Sequence, residues 1–197
     1  MNSALPLDMF VEDRAHEHFI RALVARLAAE EKKDVDIRVR SATGGHGKAI
    51  SEFKMYQALL DKKGLSAPAL IVVAIDANCS KPTAKRKEIL DIVPPARRAA
   101  VVVACPDPHV ERWYMADIAS FGRIVGASPR IKQKKCVRDY YKTALANAIT
   151  RAGHPLTLGG LEFAEELAQG MNLYDSGKVD RAFASFIQDL RSALRRL

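Results

Sequence analysis

The sequence predicts an α/β fold with a mainly parallel sheet flanked by helices. Two continuous apolar runs, ALIVVAID at 69–76 and RAAVVVAC at 98–105, read as strands buried on both faces, as a parallel sheet requires. Helical spacing separates the strand-like segments. Strands and helices alternate over the first 120 residues, the pattern of a parallel sheet with helical crossovers.

LPLDMFVED (5–13) reads as the first strand, apolar up to Val11 and then acidic at Glu12 and Asp13. Residues 14 to about 31 follow a helical pattern, with Phe19, Leu23 and Leu27 joined by Ile20, Val24 and Ala28. Val35, Ile37 and Val39 alternate with Asp36, Arg38 and Arg40, which marks a half-buried strand. SATGGHGK (41–48) reads as a glycine-rich loop, followed by a helix to about Lys63 that Gly64 stops. After 69–76 a helix begins near Thr83, and Pro94-Pro95 breaks it before the run at 98–105. PDPHVERWYMAD (106–117) enters a short helix.

Beyond about residue 120 the pattern becomes helical. A basic cluster and a helix lie in 128–153, another helical segment in 158–171, and Phe183, Phe186, Leu190 and Leu194 form a terminal apolar stripe. The expected organisation is an α/β domain at 1–120 with a helical C-terminal extension at 121–197 packed on it.

With 197 residues, 48% hydrophobic and 27% charged, the chain can bury a core without staples. Its net charge of +8 attracts polyanions, nucleic acid first among them. Cys79, Cys105 and Cys136 are odd in number and widely spaced, which argues against a disulfide scaffold or zinc knuckle and fits a reducing cytoplasm. No basic leader precedes an apolar stretch, and no apolar run reaches the ~18–20 residues of a membrane span.

The chemistry lies at predicted strand ends. Glu12 follows the first strand, and Asp76 and Asn78 follow the most buried one, in AIDAN. Open α/β sheets carry their sites at the carboxyl ends of strands, so these residues are expected on one rim. Clustered oxygen ligands suit a hard cation, Mg²⁺ or Mn²⁺. Glu111 follows the fourth strand and can supply the charge that Asn78 lacks, and His109 has the range of a general acid or base near neutral pH. His16 and His18, two residues apart on a helix, share no face and read as surface or near-site residues.

GGHGK fails the phosphate-loop pattern G-x-x-x-x-G-K-[ST] at two positions: Ala42 stands where glycine is needed, and Ala49 follows Lys48. Lys48 still qualifies as a phosphate contact. Lys85, Arg86 and Lys87 lie just after Asp76 and are expected to hold a nucleic-acid backbone, as is the basic segment 130–138; Tyr140 and Tyr141 are candidates for stacking on single strands.

VED at the end of strand one, followed about 64 residues later by IDAN, resembles the TOPRIM fold of topoisomerases, primases and the overcoming-lysogenization-defect nucleases. In that family a Glu follows the first strand and an Asp-x-Asp a later one; Glu12 and Asp76 match, and Asn78 stands where the second Asp is usual. The resemblance covers about 5–120. Small TOPRIM-like proteins linked to anti-phage systems are similar in layout, including the His109-x-Glu111-x-Trp113 segment and the helical tail. It implies a metal-dependent nuclease in prokaryotic defence, with Glu12, Asp76 and Glu111 catalytic, Glu12, Asp76 and Asn78 on Mg²⁺ or Mn²⁺, and a separate ATPase as partner. Two alternatives stand beside it: a catalytically degenerate TOPRIM-like interaction module in a larger complex, and a small-phosphate enzyme that uses the GGHGK loop.

Overall fold

The computed structural model describes residues 4–41, 44–62, 66–132, 136–156 and 158–197. Four parallel strands, β1 (Leu5–Val11), β2 (Val35–Ser41), β3 (Leu70–Ala74) and β4 (Val101–Ala104), form one sheet in the order β2-β1-β3-β4. The first crossover, α1 (Arg14–Glu30), therefore runs one way across the sheet, and the next two, α2 (Gly45–Asp61) and α3 (Pro82–Asp91), run the other way. A single crossover hand requires α1 on the opposite face from α2 and α3.

The two cores obey that rule. On one face Leu7, Met9, Val11, Val72 and Val102 pack with Phe19, Ile20, Leu23 and Leu27 of α1. On the other, Phe10, Ile71, Val73 and Val103 pack with Phe53 of α2 and Ile89 of α3. Successive strand residues alternate between the faces because the side-chain period of a strand is two. Full burial of β3 explains its unbroken apolar sequence.

The chain continues through α4 (Glu111–Tyr114), α5 (Ile118–Val125), α6 (Tyr140–Arg151), α7 (Ala164–Gly170), α8 (Leu173–Val179) and α9 (Arg181–Arg196). These helices join the α1 face. Leu145, Leu167, Phe183, Phe186 and Leu190 lie in the same core as α1 and the sheet, so residues beyond 120 share the core of the α/β layer. Asp180 caps α9, its Oδ1 accepting from the Phe183 amide at 3.0 Å.

Several boundaries differ from expectation. The residues His46, Gly47 and Lys48, expected in a loop, form the first turn of α2, which starts at Gly45 after a left-handed Gly44. The third helix ends at Asp91, and residues 95–100 form a 3₁₀ turn, so β4 is shorter than the apolar run. Gly64 as helix stop lies outside the described residues. No helix among the described residues is long and apolar enough to cross a membrane.

Candidate functional site

Strand order reverses between β1 and β3, since β2 lies to one side of β1 and β3-β4 to the other. Such a switch point opens a crevice at the strands' carboxyl ends. Glu12 and Asp76 leave β1 and β3 at this point. Backbone bonds then stitch the rim: Glu12 N–H donates to Ala74 O at 3.1 Å, Ala77 N–H to Pro106 O at 2.7 Å and Asn78 N–H to Pro108 O at 3.2 Å. The loop after β4 is thereby held against the loop after β3, which brings His109 over Asp76.

A chain of side chains fills the crevice. Asp13 caps α1, its Oδ1 accepting from the His16 amide at 3.0 Å and lying 2.8 Å from His16 Nδ1. His16 Nε2 lies 2.9 Å from Asp76 Oδ1, and His109 Nδ1 3.0 Å from Asp76 Oδ2. Asp76 N–H donates to Glu12 Oε2 at 3.0 Å. His46 Nδ1 stands 3.8 Å from that oxygen, and Lys85 Nζ reaches His46 Nε2 at 3.4 Å and Glu88 at 2.7 Å. One atom from each of Glu12, His16 and Asp76 lies within 4.8 Å of the others, a group that could hold a metal ion.

The electrostatics are those of alternating charge. Burial works against the His16 cation, yet Asp76 and Asp13 prevail and raise its pKa to about 10. Both ring nitrogens then donate. Burial likewise opposes the charge of Asp13, but the His16 hydrogen bond and charge lower it to about 2. Asp76 follows the same balance: burial pushes up, and His16 and His109 bring it below the ordinary value. Hydrogen bonding to Asp76 raises His109. Glu12 is raised, first by burial and then by the charge of Asp76. That repulsion between neighbouring carboxylates is what a bound cation relieves.

The structure thus brings together Glu12 and Asp76 and adds His16, which sequence reasoning left at the periphery. The signal was present. His16 precedes Phe19 by three residues and Ile20 by four, on the stripe that continues through Leu23 and Leu27, and this face is buried. His18 points to solvent. Asn78 sits on an exposed turn with φ 46°, followed by Cys79 at φ 68°. Asparagine tolerates that left-handed conformation well, which gives it a backbone reason to stand there.

Glu111 stands outside the three-residue group and is 7% exposed. Burial foremost raises its pKa. Of the basic residues, Lys85 reaches the site through His46. Arg86 turns away to Asp189 of α9 at 2.8 Å, Lys87 pairs with Asp91, and Lys48 lies 3.7 Å from Glu52 within α2. Tyr141 is buried, which removes it as a stacking platform. Residues 133–135 of the basic segment lie outside the described residues. Cys105 is buried, and burial holds its thiol up at about 12, away from any nucleophilic role.

On the nucleic-acid reading proposed below, Lys85→Ala, the α3 substitution closest to the site through His46, is expected to lower affinity more than Arg86→Ala or Lys87→Ala, whose cations pair with Asp189 and Asp91. Stability should fall by at most about 1 kcal/mol on loss of the exposed Lys87–Asp91 pair. Filter binding and urea denaturation of the three variants check this. An Arg86→Ala defect as large as that of Lys85→Ala would extend the backbone track to Arg86.

No family model matches this chain, and neither a curated protein nor a solved structure matches it. The functional reading rests on the chemistry of the site.

Proposed function

We propose that this protein is a metal-dependent phosphodiesterase acting on nucleic acid, of the TOPRIM kind its sequence resembles. The observation that carries the reading is the convergence of Glu12, His16 and Asp76 within 4.8 Å at the topological switch point. With His16 holding its proton, the ligands offered are the oxygens of Glu12 and Asp76, which suits Mg²⁺ or Mn²⁺. Bound there, either ion supplies Lewis-acid polarisation of a phosphoryl oxygen.

The chain's own residues do the rest. His16 holds Asp76 Oδ1 at 2.9 Å, a hydrogen bond that orients this carboxylate as a ligand. His109, less buried and donating to Asp76, can give a proton to a departing oxygen. Lys85 adds positive charge where a phosphate approaches. By the same resemblance, the enzyme serves as an effector in prokaryotic defence beside a separate ATPase.

The test is cleavage of plasmid, single-stranded DNA and RNA with Mg²⁺, Mn²⁺ or EDTA. Glu12→Gln and Asp76→Asn should each lower cutting by about 100-fold or more, and His16→Gln by about 10–100-fold through lost orientation. A folded wild type that cuts nothing with metal present would sink the enzyme reading. It would favour the second reading, a TOPRIM-like interaction module. Asn78 in place of the usual second Asp, and the internal pairing of Arg86 and Lys87, are the observations on that side.

A further inference from the structure

A cavity of about 520 Å³ opens beside the Asp76 crevice, between the start of α1, α4, α6 and the segment after α6. Its size falls within the range of about 300–1,000 Å³ typical of small-molecule sites. It shares a wall with the site, for Asp13, which holds His16, also lines it. Glu111, two residues after His109, forms part of the lining. It is 7% exposed, and its Oε2 is enclosed without a hydrogen-bond partner.

A buried, unpartnered carboxyl oxygen costs free energy that a ligand can return. The lining also includes the apolar Leu145 and the largely exposed Leu158, and the basic Arg14 and Lys142. Lys142 lines the cavity from α6. Apolar lining residues, a carboxyl edge and nearby cations match a heterocycle that has N–H groups on its edge and carries a phosphate. Carboxylates accept from the exocyclic amine of cytosine, and guanine presents similar donors.

We propose that this cavity is a nucleotide subsite. The base lies against the apolar lining residues with its N–H edge on Glu111, and Lys142 and Arg14 face the phosphate. The inference deepens, and rests on, the reading of the neighbouring crevice as a phosphodiester site. It names an unpaired nucleotide as the substrate's recognised part, either within a single strand or free. A duplex, whose bases are stacked and paired, cannot enter.

Equilibrium binding tests this without relying on catalysis. Labelled eight-nucleotide single strands, the matching duplex and the four nucleoside monophosphates are titrated into the protein in EDTA and again in Mg²⁺. Thr143→Trp places a bulky ring in the cavity from an exposed position, so folding is spared; circular dichroism verifies this. Single-strand affinity should fall by about tenfold in Thr143→Trp. Lys142→Ala should reduce the slope of log K against log salt by about 0.7. Monophosphates that bind as tightly as the strand, and lose binding in Thr143→Trp, identify a free nucleotide as the occupant. Equal binding by wild type and Thr143→Trp, duplex preference, or no binding at all overturns the subsite. Binding that depends on the cavity without any cleavage overturns only the nuclease reading.

Discussion

Asp76→Ala is expected to destabilise the protein by about 3–5 kcal/mol at neutral pH in EDTA, the cost of removing one partner from a buried ion pair. His16 is fully buried, and Asp76 is one of its two anionic contacts. Alanine leaves the imidazolium with Asp13 alone and strips His109 of its acceptor. Asp76→Asn should cost only about 1–2 kcal/mol. Its amide oxygen still accepts from His16, and its amide nitrogen can donate to a neutral His109. The contrast separates a structural loss from the catalytic loss that the proposed function expects: Asn should fold well and, on that proposal, still fail to cut. The pH dependence has a defined sign. The pKa of His16 is raised from 6.5 to about 10 on folding, so its contribution is complete below pH 6.5 and is lost as pH rises through about 10. Wild type should therefore lose more stability than Asp76→Asn between about pH 6.5 and 10, read as the shift of the urea midpoint. An Asp76→Ala protein as stable as wild type would show that the Asp13–His16–Asp76–His109 chain is not formed.

That chain also marks the limit of what the sequence made legible. β1 and β3 could be read because apolar runs ending in acids have few other meanings, and Glu12 and Asp76 followed from where those runs stop. The partners did not follow. His16 is local to Asp13 through a helix cap, but its bond to Asp76 spans 60 residues and exists only because β1 and β3 are neighbours. Arg86 looked like part of a basic track, and only the docking of α9 supplies Asp189. GGHGK looked like a loop because three glycines weaken a helix; α2 begins there nonetheless, with its first turn near Glu12 through His46 and with Ala49 and Phe53 buried under the sheet. Tyr141 looked exposed in a basic stretch, yet Leu145, Ala148 and Ile149 place it on the buried face of α6. Local periodicity is written in the sequence; which faces meet is set by the strand order.

Phe183→Ala is expected to cost about 3–5 kcal/mol and to lower the stability of the whole chain in one transition. Phe183 meets Trp113 edge-on at a centroid distance of 5.2 Å, and Phe186 stacks on the same indole at 5.7 Å. Trp113 lies in α4, just after the loop that carries His109. Asp180, which caps α9, is 3.4 Å from Arg112, and Arg112 in turn donates to Asp107 O at 2.7 Å. The last helix is thus tied to the segment that positions His109 against Asp76. If residues beyond 120 were an appendage with their own stability, far-UV and Trp113 fluorescence signals would separate in Phe183→Ala. Because α9 shares its core with α1 and β4, both signals should shift together in urea. The His109–Asp76 contact should loosen with them: on the proposed function, cleavage or metal binding should weaken in Phe183→Ala at denaturant concentrations where wild type is still fully native. Separate transitions, with the Glu12–Asp76 site intact after α9 has melted, would show that the tail is not needed to hold the rim.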